Sequence, residues 1–180
     1  MVGFISLADA KAHLKVEDDG EDGLITGLIL AAGAHVEQVT GLVCPARPGE
    51  TFAFDGFPRR EFALRLRPVA AESVTLSYVD QAGDPQTVDE LRIVDLQGIA
   101  RVAPGIGEAW PIAACARGAV TISAEVGFAA ATDEVPSSAP ADVKHAVRLL
   151  VGHHYRNREG ESELPPAIGQ LLRSHRMPRV

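Results

Sequence analysis

Two stretches of this chain carry side chains that could do acid-base or metal chemistry. The first is the pair His153-His154, and the second is the acidic loop, which we define as residues 17–22 with the sequence EDDGED. Adjacent residues of a helix point about 100° apart, so His153 and His154 cannot easily bind one metal ion. Counting from Asp18, the twelfth position is Ile29, where a calcium loop needs a glutamate. We therefore expect no metal in either stretch.

The sequence also lacks the patterns of common catalytic and nucleotide-binding sites. Gly-x-Ser-x-Gly, His-Glu-x-x-His and the Walker pattern do not occur in it. After Gly105-x-Gly107, Trp110 stands where a dinucleotide fingerprint needs its third glycine. Trp110 and Tyr78 could stack on a base or a sugar, but a place in the core is more common for single aromatic residues. We expect no enzymatic activity and no cofactor.

The helix that organises the chain is predicted over residues 140–160. Its apolar residues recur at offsets of three and four and share one face: Val143, Ala146, Val147, Leu150, Val151 and His154. Pro140 suits the helix start, Ser137 or Ser138 could cap it, and Gly160 is the expected stop. The opposite face carries what we call the basic flank: Lys144, Arg148, Arg156 and Arg158. Both a solvated surface and a partner-binding surface fit this flank.

Two helices are predicted before residue 41. Ser6 and Asp9 resemble a capping box, with Asp in place of the usual Glu, at the start of the first helix. The second spans residues 22–40, stops at Gly41, and carries an apolar stripe widened by Ile25 and Ile29: Leu24, Leu28, Ala32, Val36 and Val39. Its small residues 31–34 would let the helix at 140–160 approach closely. We expect one shared core containing Leu28, Val36, Val147 and Leu150.

Between these helical ends the pattern changes to the period of two that is typical of strands. Strands are predicted at residues 51–54, 61–67, 73–79, 91–94, 99–102 and 119–126, with a hairpin turn at 80–85. Residues 129–139 are small and polar and form a linker. The sequence therefore predicts an α+β protein: a small helical bundle of residues 1–44 and 136–180, with an inserted antiparallel β module at 45–135.

Composition limits the remaining possibilities. A hydrophobic content of 46% with 23% charged residues is typical of a globular chain, and no apolar run is long enough to span a membrane. Cys44 and Cys115 are too few for a disulfide framework, and we expect both to be buried thiols. The net charge of −7 argues against broad binding of duplex DNA. We expect a soluble, intracellular protein without a secretion signal.

Charge is distributed unevenly along the chain. Residues 1–41 carry seven acids and two bases, whereas residues 141–180 carry four acids and seven bases. An acidic start and a basic end suit head-to-tail contacts between identical copies, which close as rings or continue as filaments. The candidate contact residues belong to the acidic loop and the basic flank: Asp18, Asp19, Glu21, Lys144, Arg148, Arg156 and Arg158.

A short last helix at residues 167–172 leads into the basic tail, which we define as Arg173–Val180. After Leu172 its only large apolar residues are Met177 and Val180, so the tail is predicted to need a partner to fold against. Three arginines recur at every third position and could form forked hydrogen bonds with acidic grooves: Arg173, Arg176 and Arg179.

The order of these pieces resembles the head-tail connector, or adaptor, proteins of long-tailed phages and gene transfer agents. The resemblance rests on residues 7–14, 21–25, 34–41, the Trp110-Pro111 loop, 143–159 and 171–176. It departs from the family's pattern in the alanine-rich region around Gly33. The family implies a helical core with a β module as in its longer branch, and no catalysis.

The resemblance also implies an assembly. It implies a ring of about twelve copies below the portal, with partners in the portal protein, the tail-side connector or stopper protein, and further copies of the chain itself. DNA would pass through the central channel without sequence-specific binding, and the basic tail would dock on the portal. The location would be the head-tail junction of the virion, and the host cytoplasm during assembly.

Two other classes of function remain open at this point. A DNA-binding regulatory or packaging protein would use the basic face of the helix at 140–160, and its duplex binding would depend steeply on salt. An enzyme would need a pocket with convergent polar groups.

Overall fold

The structure is a computed structural model that describes residues 3–96, 98–157 and 165–176. Its helices are α1 (Leu7–Leu14), α2 (Asp22–Thr40), α3 (Ala141–Arg156) and α4 (Pro166–Leu171). Its strands are β1 (Arg47–Phe54), β2 (Phe62–Ala63), β3 (Thr75–Val79), β4 (Pro85–Val88), β5 (Leu91–Leu96), β6 (Ile99–Pro104) and β7 (Val120–Val126). Helices and antiparallel sheets occupy separate parts of the chain, so the predicted α+β class is confirmed.

The chain forms two compact units. The helical unit contains Met1–Ala46 and Gly127–Val180, and the β unit contains Arg47–Val126. Residues 127–135 belong to the helical unit, where the Phe128 amide donates to the Val43 carbonyl at 2.8 Å. That the units are separate domains stays a prediction.

In the helical unit, the start of α1 and the stop of α2 agree with the sequence prediction, whereas the end of α1 at Leu14, with Lys15 as a left-handed C-cap, was not predicted. Ser6 Oγ accepts a hydrogen bond from the Asp9 amide at 3.1 Å and caps α1. Helix α2 ends at Gly41, whose φ of 72° is the left-handed conformation that glycine adopts without steric cost. Helix α3 starts without a side-chain cap. Ser137, one of the two predicted caps, instead donates to the Ala129 carbonyl at 2.7 Å.

The buried face of α2 is rotated from the predicted one. The fully buried residues are Ile25, Ile29, Ala32, Val36 and Thr40, whereas Leu24 is 39% exposed. The predicted stripe was therefore centred one residue too early. Helix α2 is apolar over much of its circumference, and its contact with α3 decides which side is buried.

Helix α3 supplies most of the remaining core of the helical unit. Five of the six predicted face residues are buried: Val143, Ala146, Val147, Leu150 and Val151. The sixth prediction was wrong by one position, since His153 is buried and His154 is half-buried. The helix ends at Arg156, and Gly160, its predicted stop, lies outside the described residues.

The predicted shared core of the two chain ends is present. Val36, Val147 and Leu150 are fully buried in one cluster, and Leu28 packs against it while partly exposed. The small-residue patch on α2 contributes less than predicted. Only Ala32 of residues 31–34 is buried, and a Cβ on Gly33 would meet the Phe4 ring at 3.8 Å.

The β unit consists of two antiparallel sheets. Their strand orders are β1-β7-β3-β4 and β2-β6-β5. All six predicted strands exist, although the one predicted at 61–67 shortens to Phe62–Ala63. Strand β4 was not predicted, because Pro85-Gln-Thr-Val carries little apolar patterning. The hairpin turn before it is confirmed: Asp80 Oδ1 accepts from the Ala82 and Asp84 amides at 2.9 and 3.0 Å.

The core of the β unit consists of aliphatic residues, most of them from its strands, and an aromatic cluster. Leu64, Leu76 and Ile122 are fully buried. Phe57 stacks on Trp110 with ring centroids 5.0 Å apart, and the Trp110 indole donates to the Arg60 carbonyl at 3.1 Å. Trp110 was predicted to lie in the core, and it packs against the edge of the core while partly buried.

The chain leaves the helical unit and returns to it at adjacent points. Gly127 has a φ of 114°, and a Cβ on it would lie 2.9 Å from the Ala46 Cα and 3.0 Å from the Val43 carbonyl oxygen. No other residue fits there without a backbone shift. Directly beyond this point, Arg47 pairs with Val126 across strands β1 and β7.

Candidate interaction surfaces

The acidic loop is held in place by neighbours within the helical unit. Lys11 Nζ lies 2.7 Å from both Asp19 and Asp22. These hydrogen bonds raise the pKa of Lys11, and the bond from Lys11 lowers the pKa of the Asp19 carboxyl. Asp18 accepts from the Gly20 amide at 2.9 Å. The Asp19 side chain is still 89% exposed, so the loop presents negative charge outward.

The basic flank is engaged in the same way. The Arg148 guanidinium donates to Asp9 at 2.8 Å and joins α3 to α1. Lys144 donates to the Ser137 carbonyl at 3.0 Å, and Arg156 donates to the Gly152 carbonyl at 3.0 Å. Arg158 lies outside the described residues. A DNA-binding face would need these cations directed at phosphates. Lys144 and Arg148 instead form hydrogen bonds within the helical unit, to the Ser137 carbonyl and to Asp9.

Several of the predicted acidic and basic site residues contact other groups of the helical unit. Asp18 and Asp19 contact Gly20 and Lys11, and Lys144 and Arg148 contact Ser137 and Asp9. The two segments also contact each other, since the Tyr155 hydroxyl, beside Arg156, donates a hydrogen bond to the Glu21 carboxylate.

The first part of the basic tail is ordered, which corrects the prediction that the tail needs a partner to fold against. Arg173–His175 form a 3-10 turn after the buried Leu172, and His175 Nε2 lies 2.7 Å from Asp142 Oδ2 on α3. Burial raises the pKa of the Asp142 carboxyl, but the bonds from His175 and the Val143 amide outweigh it, so this pKa lies below its usual value. Residues 177–180, with the predicted Arg179, lie outside the described part of the chain.

Arg173 and Arg176 are both exposed. The anchoring of His175 fixes the backbone between them, so these two predicted docking residues project from an ordered segment. The sequence offered no sign of the His175–Asp142 contact, because its partners are far apart in the chain.

The histidine pair is part of the packing of α3. The His153 and His154 rings meet edge to face with centroids 5.5 Å apart. Burial lowers the pKa of His154, and the nearby His153 and His35 lower it further. Within residues 3–96, 98–157 and 165–176, no group of three or more His, Cys, Asp or Glu side chains is placed to hold a metal ion.

The cysteines differ from the prediction that both are buried. Cys115 is exposed in the loop before β7, and Cys44 is half-buried. Burial raises the pKa of the Cys44 thiol, against the opposing effect of a hydrogen bond with Ser137. Cys44 therefore stays protonated at neutral pH and has low reactivity.

Two exposed apolar surfaces were missed by the sequence analysis. One is the outer face of α2, where Leu24 and Leu30 are 39% and 54% exposed. The other is the isoleucine tip, defined as residues 105–112, where Ile106 and Ile112 are 92% and 72% exposed. Contiguous exposed apolar patches are typical of interaction sites, so both surfaces are candidates. The absence of charge in the α2 sequence from Gly23 to Val36 was the available signal.

None of the helices in the described residues combines the length and the apolar character needed to cross a membrane.

Comparison with known proteins finds chains of similar fold in gene transfer agent particles. No protein-family model matches the chain, and no curated protein matches it. Among solved structures, a chain of the virion of a native gene transfer agent particle is 27% identical, with a TM-score of 0.76, covering 97% of this chain and 90% of that one. A chain from the neck of an empty gene transfer agent particle, computed with C6 symmetry, is 26% identical at a TM-score of 0.77, with coverage of 97% and 90%. A chain from the neck of a native particle, computed with C12 symmetry, is 26% identical at 0.74, with coverage of 97% and 89%.

Proposed function

We propose that this chain is a structural protein of the neck of a phage or gene transfer agent particle, and that within the neck it is the head-tail adaptor. The observation that carries the proposal is the match to neck chains over 97% of the chain, which includes both the helical unit and the β unit. The resemblance of the sequence to head-tail connectors supports the same role independently.

In this role the chain forms a ring below the portal and leaves a channel for DNA. The C6 and C12 symmetries of the similar necks support a ring, and C12 favours about twelve copies. The ring would contact the portal on one side and the stopper on the other. The chain is located in the virion, and in the host cytoplasm during assembly. Its work is mechanical attachment without catalysis.

Deletion of the gene in the producing host tests this role. We expect DNA-filled heads without tails, and restored tailed particles when the chain is supplied in trans. Quantitative mass spectrometry of purified particles should give about twelve copies for each portal ring. Tailed particles in normal yield after deletion, or one or two copies for each particle, would overturn the proposal.

The basic tail is the segment that we propose to dock on the portal. Arg173 and Arg176 are exposed on an anchored turn, and planar guanidinium groups suit acidic grooves. The test is the double variant Arg173→Glu/Arg176→Glu, which leaves His175 and its contact with Asp142 intact. Capture on purified portal should fall sharply, while the melting temperature stays unchanged.

The matched control for this variant is Arg117→Glu, a charge reversal of an exposed arginine in the β unit. Its binding to portal should stay normal. If the double variant binds portal as the unchanged chain does, the tail has no docking role.

A further inference from the structure

The outer face of α2 has a composition that the fold does not explain. The exposed residues of this face are Gly23, Leu24, Gly27, Leu30, Ala31, Ala34 and Gln38. They recur at helical spacing, and none is charged, in a chain with 23% charged residues. A helix face directed to solvent normally carries charged side chains. The lack of charged residues on this face is typical of a helix face that is buried in a contact with another surface.

The glycines on this face point to close contact from outside the chain. A Cβ added to Gly23 or Gly27 would meet no atom within 4 Å. Packing among the described residues thus gives no reason for Gly27 in the interior of α2, where glycine costs up to about 1 kcal/mol relative to alanine. A neighbouring surface that approaches the backbone closely would give such a reason.

The isoleucine tip is the exposed apolar surface of the β unit, and its conformation is held by contacts within that unit. The Gly105 amide donates to the Glu90 carbonyl at 3.1 Å, and the Glu108 amide donates to the Gly105 carbonyl at 3.0 Å. Trp110, stacked on Phe57, fixes the other end. Ile106 and Ile112 are therefore held exposed by an ordered loop, which lowers the entropy lost on binding.

Charges beside the two surfaces are complementary. Beside α2 lies the acidic loop, in which Glu17, Asp18 and Asp19 are exposed. Ile106 shares an open hollow of about 560 Å³ with Arg59, Arg60 and Arg92. Glu61 in this hollow is paired with Arg101 at 2.6 Å, so Glu108 is the one other acid among the described residues that line it. Asp89, Glu90 and Glu108 line a second hollow beside the tip, so positive charge borders the tip at the first hollow and negative charge at the second. Each surface thus has an apolar centre and a charged margin, as protein interfaces do.

We infer that in the ring the outer face of α2 of one copy packs against the isoleucine tip of the next copy. The inference rests on the proposed ring. A ring of identical chains needs two different, mutually complementary surfaces on every copy. Among the large exposed apolar side chains of the described residues are Leu24 and Leu30 on α2 and Ile106 and Ile112 on the tip. The acidic loop beside α2 and the three arginines beside Ile106 carry opposite charge.

Cysteine cross-linking in assembled particles tests the pairing. Leu30→Cys and Ile106→Cys are made as separate chains, each with Cys115→Ser to remove the exposed native thiol, and are co-expressed in the producing host. After oxidation, the mixture should give a disulfide-linked dimer, while each variant alone should give none. A chain carrying both cysteines should give a ladder of higher oligomers.

Separate chains exclude a bond within one copy, and a matched control uses Val135→Cys, which is 60% exposed, with Leu30→Cys. Normal copy number without the Leu30–Ile106 dimer would overturn this pairing and leave the proposed function standing. Dimers from Leu30→Cys alone would replace it with a symmetric contact. Cross-links only to a different protein would assign the α2 face to that partner. Particles that lack the chain would contradict the proposed function itself.

Replacement of Gly27 gives an independent test, because it should raise the stability of the isolated chain and lower its incorporation into particles. Gly27→Gln should raise the melting temperature of the isolated chain, because glutamine favours helix and the space is open. The same change should lower the copies incorporated into particles several-fold, because a neighbour can no longer approach closely. Ala12→Gln on α1, also at an exposed position, is the control and should leave incorporation unchanged. Normal incorporation of Gly27→Gln would overturn the inference.

Discussion

The helical unit and the β unit bury apolar surface in different ways. In the helical unit, α2 and α3 come from opposite ends of the chain, and aliphatic residues such as Ile29 and Leu150 are completely buried between them. In the β unit, one continuous segment supplies both sheets, and its aromatic residues Phe57 and Trp110 remain partly exposed. The helical unit therefore joins the two ends of the chain through helix packing, whereas the β unit is closed by strand pairing within one segment, including the pairing of its first and last strands, β1 and β7.

This difference can be measured with two signals from one sample. Trp110, the only tryptophan of the chain, lies in the β unit, so its fluorescence reports on that unit. Far-ultraviolet circular dichroism at the helical minimum reports mainly on the helical unit. If the two units unfold separately, a substitution in one should move mainly its own transition.

The largest expected effect is that of Leu150→Ala in the helical core. Leu150 is fully buried among residues of α2 and α3, so its removal should lower the free energy of unfolding by about 2–5 kcal/mol. The circular dichroism transition in denaturant measures this change. Leu30→Ala, the same replacement at an exposed site, should cost less than about 0.5 kcal/mol. A loss of that small size for Leu150→Ala would contradict the shared core.

A smaller effect is expected for Ile122→Val in the β unit. Ile122 is fully buried on β7, between β1 and β3, and loss of one methylene there should cost about 0.5–1.5 kcal/mol. The Trp110 fluorescence transition should shift, and the circular dichroism transition should stay in place. Val79→Ala, at an exposed position of β3, is the control. Equal shifts of both signals would mean that the units unfold together.

The two units should agree in their ion pairs. Arg148–Asp9 in the helical unit and Arg101–Glu61 in the β unit span 2.8 and 2.6 Å, and all four side chains are partly exposed. Double-mutant cycles should give about 0.2–1 kcal/mol for each pair, because solvent screens both. A coupling well above that range for Arg148–Asp9 would make it a main support of the α1–α3 contact.

The smallest effect concerns stability near neutral pH, and it should be confined to the helical unit, which contains all six histidines. Burial lowers the pKa of His154 below its usual value, so the unfolded chain takes up the proton first as the pH falls. Stability is then full above about pH 6.5 and decreases as the pH falls toward the folded pKa. His154→Gln should flatten this dependence in circular dichroism, and His13, whose pKa burial also lowers, should account for part of what remains. An unchanged slope for His154→Gln would assign the dependence to other groups.

The sequence predicted the elements better than their orientation. Capping at Ser6 and the stop at Gly41 are local chemistry, and both could be read directly. The buried side of α2 could not, because Leu24 and Ile25 are equally apolar, and only packing against α3 selects Ile25. The same limit explains the exchange of His153 and His154, which differ by one helical step.

The interaction surfaces were harder to predict than the core. Composition indicated where charges are, but Lys144 and Arg148 turned out to bind partners inside the helical unit. The His175–Asp142 contact joins residues far apart in sequence and needs the folded chain to be seen. The α2 face was present in the sequence as a charge-free stretch, but its exposure depended on the rotation of the helix.

The adjacency of Ala46 and Gly127 makes the β unit a cassette. Because Ala46 and Gly127 are in close contact, a short turn could connect them directly if the β unit were absent. The helical unit would then need no longer linker. The helical unit therefore does not restrict the length of the segment inserted between Ala46 and Gly127. A protein built this way can change its inserted part, and with it whatever that part contacts, while the helices keep the same path.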